Sequence, residues 1–288
     1  MADTMISFAD NSLSNTFLSN DEIRKRCPHA FKDEPTNPNV SNKYVQANTM
    51  TVINDLAKLG WFVVDAKQCR TKKNSSGVRS FHMIALQNPN IKIYRQSADG
   101  NKVVDAYPRI IMTNSHDGFN SFKFMLGLFR IVCSNGLVVC DEQMVNMSIR
   151  HINYTFEELR KVVASAIEEV PNIVNTMNKM RTIELDEHDK RHIAREMFKI
   201  RKGLEEADNV EVSEDVLDDI LTPLREEDKK NDLWTVFNVC QEKMIKGGFS
   251  SMGKNNKSRK QRAITSIKKD MDFNQKLWNV ASQYLMAA

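Results

Sequence analysis

The sequence predicts an α+β protein: an N-terminal, largely antiparallel β-sheet with a packed helix, followed by a C-terminal helical half. Three observations predict it. Between Trp61 and Val139 apolar residues recur with a period of two and are interrupted by Asn, Asp and Gly. Beyond Thr155 they recur at three and four, the spacing of a helix face. The chain of 288 residues, 41% hydrophobic and 27% charged, is long and apolar enough to bury a sizeable core.

Taken in order, residues 1–42 are rich in Ser, Asn, Asp and Pro, with Pro28, Pro35 and Pro38 breaking regular structure, and are expected to form a mostly irregular arm. Cys27-Pro28-His29 has metal-ligating types but no second pair at useful spacing, so a surface loop is the expectation and no metal is assigned. Residues 43–153 form the β-rich part. Val52, Ile53, Leu56 and Leu59 give a short amphipathic helix that Thr49 can cap and Gly60 can close. Trp61 to Arg70 and Arg79 to Leu86 read as a hairpin around the polar turn Lys72 to Gly77, and Ile91-Tyr94 with Val103-Tyr107 as another around Ala98 to Asn101.

The organising stretch runs from Arg109 to Cys140. Ile110 and Met112 precede Asn114-Ser115-His116-Asp117-Gly118, whose Asp-Gly pair supplies the positive φ of a tight hairpin turn. Phe122, Phe124, Leu126 and Leu128 then alternate as a strand, with helix as the runner-up, and Ser134-Asn135-Gly136 is expected to turn the chain back into Leu137 to Val139.

Residues 154–288 form the helical part. Thr155 and Glu158 fit a capping box, and the helix they open carries Phe156, Leu159, Val163, Ala166, Ile167, Val170, Val174 and Met177 on one stripe, with Pro171 expected to kink or break it. Further helices are expected over Asp186–Lys202, Ser213–Leu221, Asp228–Lys246 and Asp270–Leu285, with a basic flexible loop near 250–262.

Net charge is only +4, but it is unevenly distributed. Lys67, Arg70, Lys72, Lys73, Arg79, Arg95 and Arg109 make the sheet region basic, residues 205–232 are acidic enough to suit a partner, and the chain turns basic again after Lys243. The five cysteines, Cys27, Cys69, Cys133, Cys140 and Cys240, are an odd number without close pairing, so reduced thiols are expected. No stretch reaches the length of a membrane span, and the N-terminus lacks a basic region followed by an apolar core.

Asn-Ser-His-Asp-Gly at 114–118 with Gly-Leu-Phe-Arg-Ile-Val-Cys-Ser-Asn-Gly-Leu at 127–137 resembles the signature of a phage and plasmid protein family, domain of unknown function 932. Tyr44, Thr49 to Trp61, Arg70, Phe81-His82-Met83, Leu233-Trp234 and Phe237-Asn238 extend the resemblance from Tyr44 to the C-terminus. It implies a mobile-element origin and a place in the cytoplasm of a bacterial host, and it carries no activity over to particular residues. The helix, strand and hairpin order from Thr49 is also similar to phage single-strand annealing proteins, although those follow their sheet with a helix where this chain alternates from Phe122 to Leu128.

Three groups of residues have chemistry to offer. Asn114, His116 and Asp117, with Arg130 and Cys133, are types that could serve proton transfer or a thiolate nucleophile, but Asn, Asp and Gly occupy turns for backbone reasons alone. The basic sheet region, with His82 and the aromatics Trp61, Phe62, Phe81, Tyr94 and Tyr107, could combine phosphate contacts with base stacking. Lys254, Lys257, Arg259, Lys260 and Arg262 form a third basic group without any nucleotide-binding fingerprint. The expectation is a non-enzymatic nucleic-acid-binding protein without a cofactor, taking single-stranded DNA in replication, recombination or annealing and possible as a homo-oligomer. A structural or interaction protein of a mobile element, or an enzyme centred on His116, are the alternatives.

Overall fold

A computed structural model describes residues 5–8, 17–35, 48–69, 80–97, 99–118, 120, 122–131, 135–138, 147–149, 155–204, 212–252 and 258–287. By packing the chain divides into residues 4–173 and 174–288.

The first unit is built on an eight-stranded sheet in which every pairing is antiparallel. In chain order its elements are β1 (Met5–Phe8), α1 (Asn20–Arg26), α2 (Thr49–Lys58), β2 (Phe62–Gln68), β3 (His82–Gln87), β4 (Ile91–Gln96), β5 (Lys102–Asn114), β6 (Phe122–Arg130), β7 (Asn135–Val138), β8 (Met147–Ile149) and the first part of α3 (Phe156–Thr182). The spine is β5, which pairs β6 along one side and, on the other, β4 up to Ala106 and β3 from Arg109 onward. Pro108, which has no amide hydrogen to donate, sits where β5 changes partner, a place that tolerates proline inside a central strand.

The alternation over Phe122–Leu128 is a strand, as its period of two predicts. The turn before it has Gly118 at φ 76°, the left-handed conformation expected there. Asn135 and Gly136, expected in a turn, instead open β7, because Asn135 pairs with Arg130 and Gly136 with Phe129.

Residues 17–35 differ from the irregular arm expected of them. Ser19 accepts from the Glu22 amide while Glu22 reaches back to the Ser19 amide, a capping box that starts α1. A 3-10 turn follows over Pro28–Phe31, with proline at the first position, where its missing amide hydrogen costs nothing. Ile23, Cys27 and Ala30 enter the core with Val52 and Leu56 of α2, Trp61, Ile84 and Leu86 of β3, Ile110 and Met112 of β5, Phe122 and Phe124 of β6, and Leu159 and Val163 of α3. Cys27-Pro28-His29 is therefore not a surface loop: Cys27 is fully buried and His29 nearly so. At α2 the cap is Asn48, whose side chain accepts from the Thr51 amide; Thr49, expected to cap, is the first helical residue and is buried.

The second unit contains the rest of α3, α4 (Glu187–Lys202), α5 (Glu214–Leu221), α6 (Leu233–Lys246), the two-stranded ribbon β9 (Ser250–Met252) and β10 (Ser258–Lys260), and α7 (Ile267–Ala287). Helix α3 runs through Pro171 without a break. Helix α6 starts at Leu233, capped by Asp232, instead of at Asp228, which closes a separate 3-10 turn. Trp234, Phe237 and Trp278 stack and edge together at this unit's centre, with ring centroids 6.2 and 5.9 Å apart. Arg225 joins the loop before α6 to the helix: it is bidentate to buried Glu242 at 2.7 and 2.9 Å and also bonds Asp228, while Lys246 reaches Glu242 at 2.7 Å.

The ribbon is tied to the end of α6. Phe249 is fully buried against Phe198, the Gly248 amide donates to the Gln261 carbonyl, and the Gln261 amide donates to Phe249. Gly247, at φ 72°, allows this approach; a Cβ there would stand 2.5 Å from the Gln261 carbonyl oxygen. No helix among the described residues is long and apolar enough to cross a membrane.

Candidate functional site

Two clusters, one in each unit, gather the chemistry that the sequence offers. The first lies where the N-terminus of α2, the start of β3 and the β5–β6 turn meet. Thr49, Ser80, His82, Asn114, Ser115, His116 and Asp117 are all buried there, at 3% exposure or less. Ser80 is the hub: its amide donates to Asp117 Oδ2 at 3.3 Å, its hydroxyl accepts from the His116 amide at 2.6 Å, and its carbonyl lies 2.6 Å from His82 Nδ1.

That last contact sets the proton positions in the rest of the network. A carbonyl oxygen only accepts, so His82 Nδ1 carries a proton and, in the neutral ring, Nε2 does not. His82 Nε2 therefore accepts from the Thr49 hydroxyl, 2.8 Å away. Thr49 has no second proton to give, so His116 Nε2, 3.2 Å from the same oxygen, is the donor in that pair. Asn114 Nδ2 donates to Thr49 Oγ1 at 3.0 Å, which fills the hydroxyl: one bond donated and two accepted. The two imidazoles meet edge to face, with centroids 5.2 Å apart. Burial drives His82 down to about 4, against the raising effect of its bond to Ser80, so this ring stays neutral near pH 7.

Beside this network His29 donates its amide to Gln68 Oε1, while its Nδ1 is buried without a hydrogen-bond partner. Burial and then Lys32 lower its pKa, with Asp117 opposing. These histidines do not form a metal cage. Among the described residues, the group of three or more ligand types whose atoms lie within 4.8 Å of one another is Asp186, His188 and Asp189 at the start of α4, where Asp186 already caps the helix. The buried network can hold three chain segments in one register.

Of the residues expected here, the structure brings together His116 and Asp117 and adds His82. It places Arg130 elsewhere, buried at the far end of β6 opposite Ala106. Cys133 lies outside the described residues. Thr49 and Ser80 went unread as site residues, because Thr49 also suits a helix cap and Ser80 also suits a strand end, while His29 reads from sequence only as a metal ligand. Cys27, Cys69 and Cys240 form no disulfide, and burial pushes the Cys27 thiol up to about 12.

The basic residues of the sheet are largely engaged with the protein itself. Lys67 is exposed and 3.6 Å from Asp65, and Arg95 lies 3.3 Å from buried Asp105. Arg109 donates to Gln87 and lies over Phe129, 3.5 Å from its centroid, and burial lowers it to about 10 against Asp65 and Tyr107. His82, also expected to contact nucleic acid, is sealed in the buried network. Trp61 and Phe81 are core residues, and Lys102 covers Tyr94 at 4.4 Å. Arg70, Lys72, Lys73, Arg79, Lys254 and Lys257 lie outside the described residues.

The second cluster is different. Arg259 and Lys260 on β10 and Arg262 just after it are exposed and pair with no carboxylate of the described residues. Arg201 and Lys202, in the last turn of α4, reach the same ribbon: Arg201 donates to the Arg262 carbonyl at 2.5 Å and Lys202 to Ser251 Oγ at 2.7 Å. Their partners are neutral oxygens, and Arg201 Nε is buried without a partner. Burial lowers the pKa of Arg201, and burial and then the neighbouring Arg201 charge lower that of Lys202. The carboxylate of Asp219, which accepts from the Ser250 amide at 3.2 Å, is paired with Lys243 at 3.4 Å. Such a cluster lowers its own repulsion by taking up an anion.

The protein family described as Domain of unknown function (DUF932) matches residues 39–278. The UPF0380 protein YafZ of Escherichia coli (strain K12) is 27% identical over 268 residues, covering 93% of this chain and 92% of that protein. The UPF0380 protein YfjQ of the same organism is 26% identical over the same shares. No solved structure matches the chain.

Proposed function

Because the chain belongs to the DUF932 family, whose description assigns no activity, we propose a function from geometry alone: the protein binds nucleic acid without catalysing a reaction on it. The observation that carries this reading is the convergence of Arg201, Lys202, Arg259, Lys260 and Arg262 at one ribbon, where no carboxylate of the described residues pairs them. Lysine and arginine whose charge no carboxylate balances are what a phosphate backbone neutralises, releasing counterions as it does so. The basic charge of residues 67–109 in the sequence supports the same reading, although Arg95 and Arg109 spend their charge inside the sheet. The buried histidine network supports a structural role for the first cluster, since Thr49, His82, Asn114 and His116 bond to one another and lie away from solvent.

Fluorescence anisotropy of the full chain with labelled oligonucleotides across a salt series tests the proposal. Affinity should fall linearly in logarithmic terms with salt, and Arg201→Gln with Lys202→Gln should flatten the slope by about 2. Absence of binding to any oligonucleotide at low ionic strength would rule the function out.

A further inference from the structure

We propose that the β9–β10 ribbon enters the major groove of duplex DNA, with Arg201 and Lys202 set at its base for the phosphates; this rests on the nucleic-acid reading above and adds the form of the ligand. The shape comes first. A two-stranded antiparallel ribbon is one of the two protein elements that the major groove admits, the other being an α-helix. Here the strands register Arg259 opposite Ser251 and Lys260 opposite Ser250. The cations thus face small neighbours across the ribbon, and the element stays narrow.

Chemistry separates duplex from single strand. Proteins that hold unpaired strands combine cations with aromatic faces on which bases stack. No aromatic residue occurs between Phe249 and Phe273, and Phe249 is fully buried, so the ribbon presents cations without a stacking surface. Of the half-buried aromatics of the sheet, Tyr94 is covered by Lys102, Phe129 by Arg109, and Phe62 packs against Phe17, which leaves Tyr107. What the ribbon offers is guanidinium groups, which suit paired guanine edges and phosphates.

The mounting also fits insertion. Buried Phe249, the close approach at Gly247, and the bonds joining Gly248 and Gln261 fix the ribbon's base, while Ser258, Arg259 and Lys260 are all exposed. An element that must enter a groove in one orientation needs a rigid root and a free edge.

The experiment compares a labelled duplex with one of its own strands, using the full chain. The duplex should bind about tenfold tighter or more, and the protein should protect guanine N7, a major-groove atom, from dimethyl sulfate. The double variant Arg259→Gln, Lys260→Gln removes exposed groups and should keep the thermal midpoint and circular dichroism of the parent. It should also lose the duplex preference and lower the salt slope by about 2. Equal or tighter binding of the single strand, unchanged guanine reactivity, or undiminished duplex affinity in the variant would each overturn the ribbon inference while leaving nucleic-acid binding in place. If neither strand nor duplex binds, the function proposed above falls and takes this inference with it.

Discussion

The Thr49 hydroxyl gives its one proton to His82 Nε2 at 2.8 Å, because the Ser80 carbonyl already holds the proton at the other nitrogen of that ring. The same oxygen accepts from Asn114 and His116. Thr49→Val keeps the shape of the side chain and leaves these buried groups without their common partner. Stability should fall by about 3 kcal/mol, and Thr49→Ser should recover more than half of that, as read from urea denaturation midpoints. A neutral Thr49→Val would show that the three groups find other partners.

Neutral His82 makes folding pH-dependent. Its ring stays neutral down to about 4 in the folded protein, whereas in the unfolded chain it takes a proton near its ordinary value of 6.5. Its contribution is therefore complete above about pH 6.5 and is lost as pH falls toward 4, on the order of 3 kcal/mol in all. Denaturation at a series of pH values should show this slope, and His82→Gln should flatten it.

His116 sits in a turn yet is fully buried. His116→Ala should thus cost about 2 kcal/mol or more, well beyond the half kcal/mol typical of an exposed turn residue. Gly118→Ala, at φ 76° on the exposed side of the same turn, should cost about 1 kcal/mol through the backbone alone. Thermal melts of the two variants distinguish these causes, since Gly118→Asn should be milder than Gly118→Ala, asparagine tolerating that conformation.

Glu242 is buried and held ionised: burial raises its pKa, and the bonds from Arg225 and Lys246 outweigh that and lower it. Arg225→Met leaves the carboxylate with Lys246 alone and should destabilise the second unit by about 3 kcal/mol. Adding Glu242→Gln should restore part of the loss, which a double-mutant cycle would measure.

Much of the fold was legible in the sequence where periodicity is local. The alternation from Phe122 to Leu128, the positive φ at Gly118 and the helix boundary at Gly203 all follow from neighbouring residues. What was not legible depends on partners distant in sequence. Asn48 and Thr49 are both good cap residues, and only the arrival of His82 and His116 makes Thr49 the buried one. Asn135-Gly136 reads as a turn until Phe129 and Arg130 pair with it. The basic residues were legible as composition, but whether a cation is spent on a carboxylate or an aromatic ring is a spatial matter, and this is what separates Arg95 and Arg109 from Arg259 and Lys260.

The contacts through Thr49 join residues 33 and 67 positions apart, and this has a kinetic consequence. Closing such loops costs chain entropy before any bond repays it, and polar groups gain from one another only after water has left. The network should therefore assemble after the transition state, once the sheet and α2 have docked. Thr49→Val should leave the refolding rate almost unchanged and appear nearly whole as faster unfolding, so the hydroxyl acts as a latch on the lifetime of the native state and has little part in guiding the chain toward it.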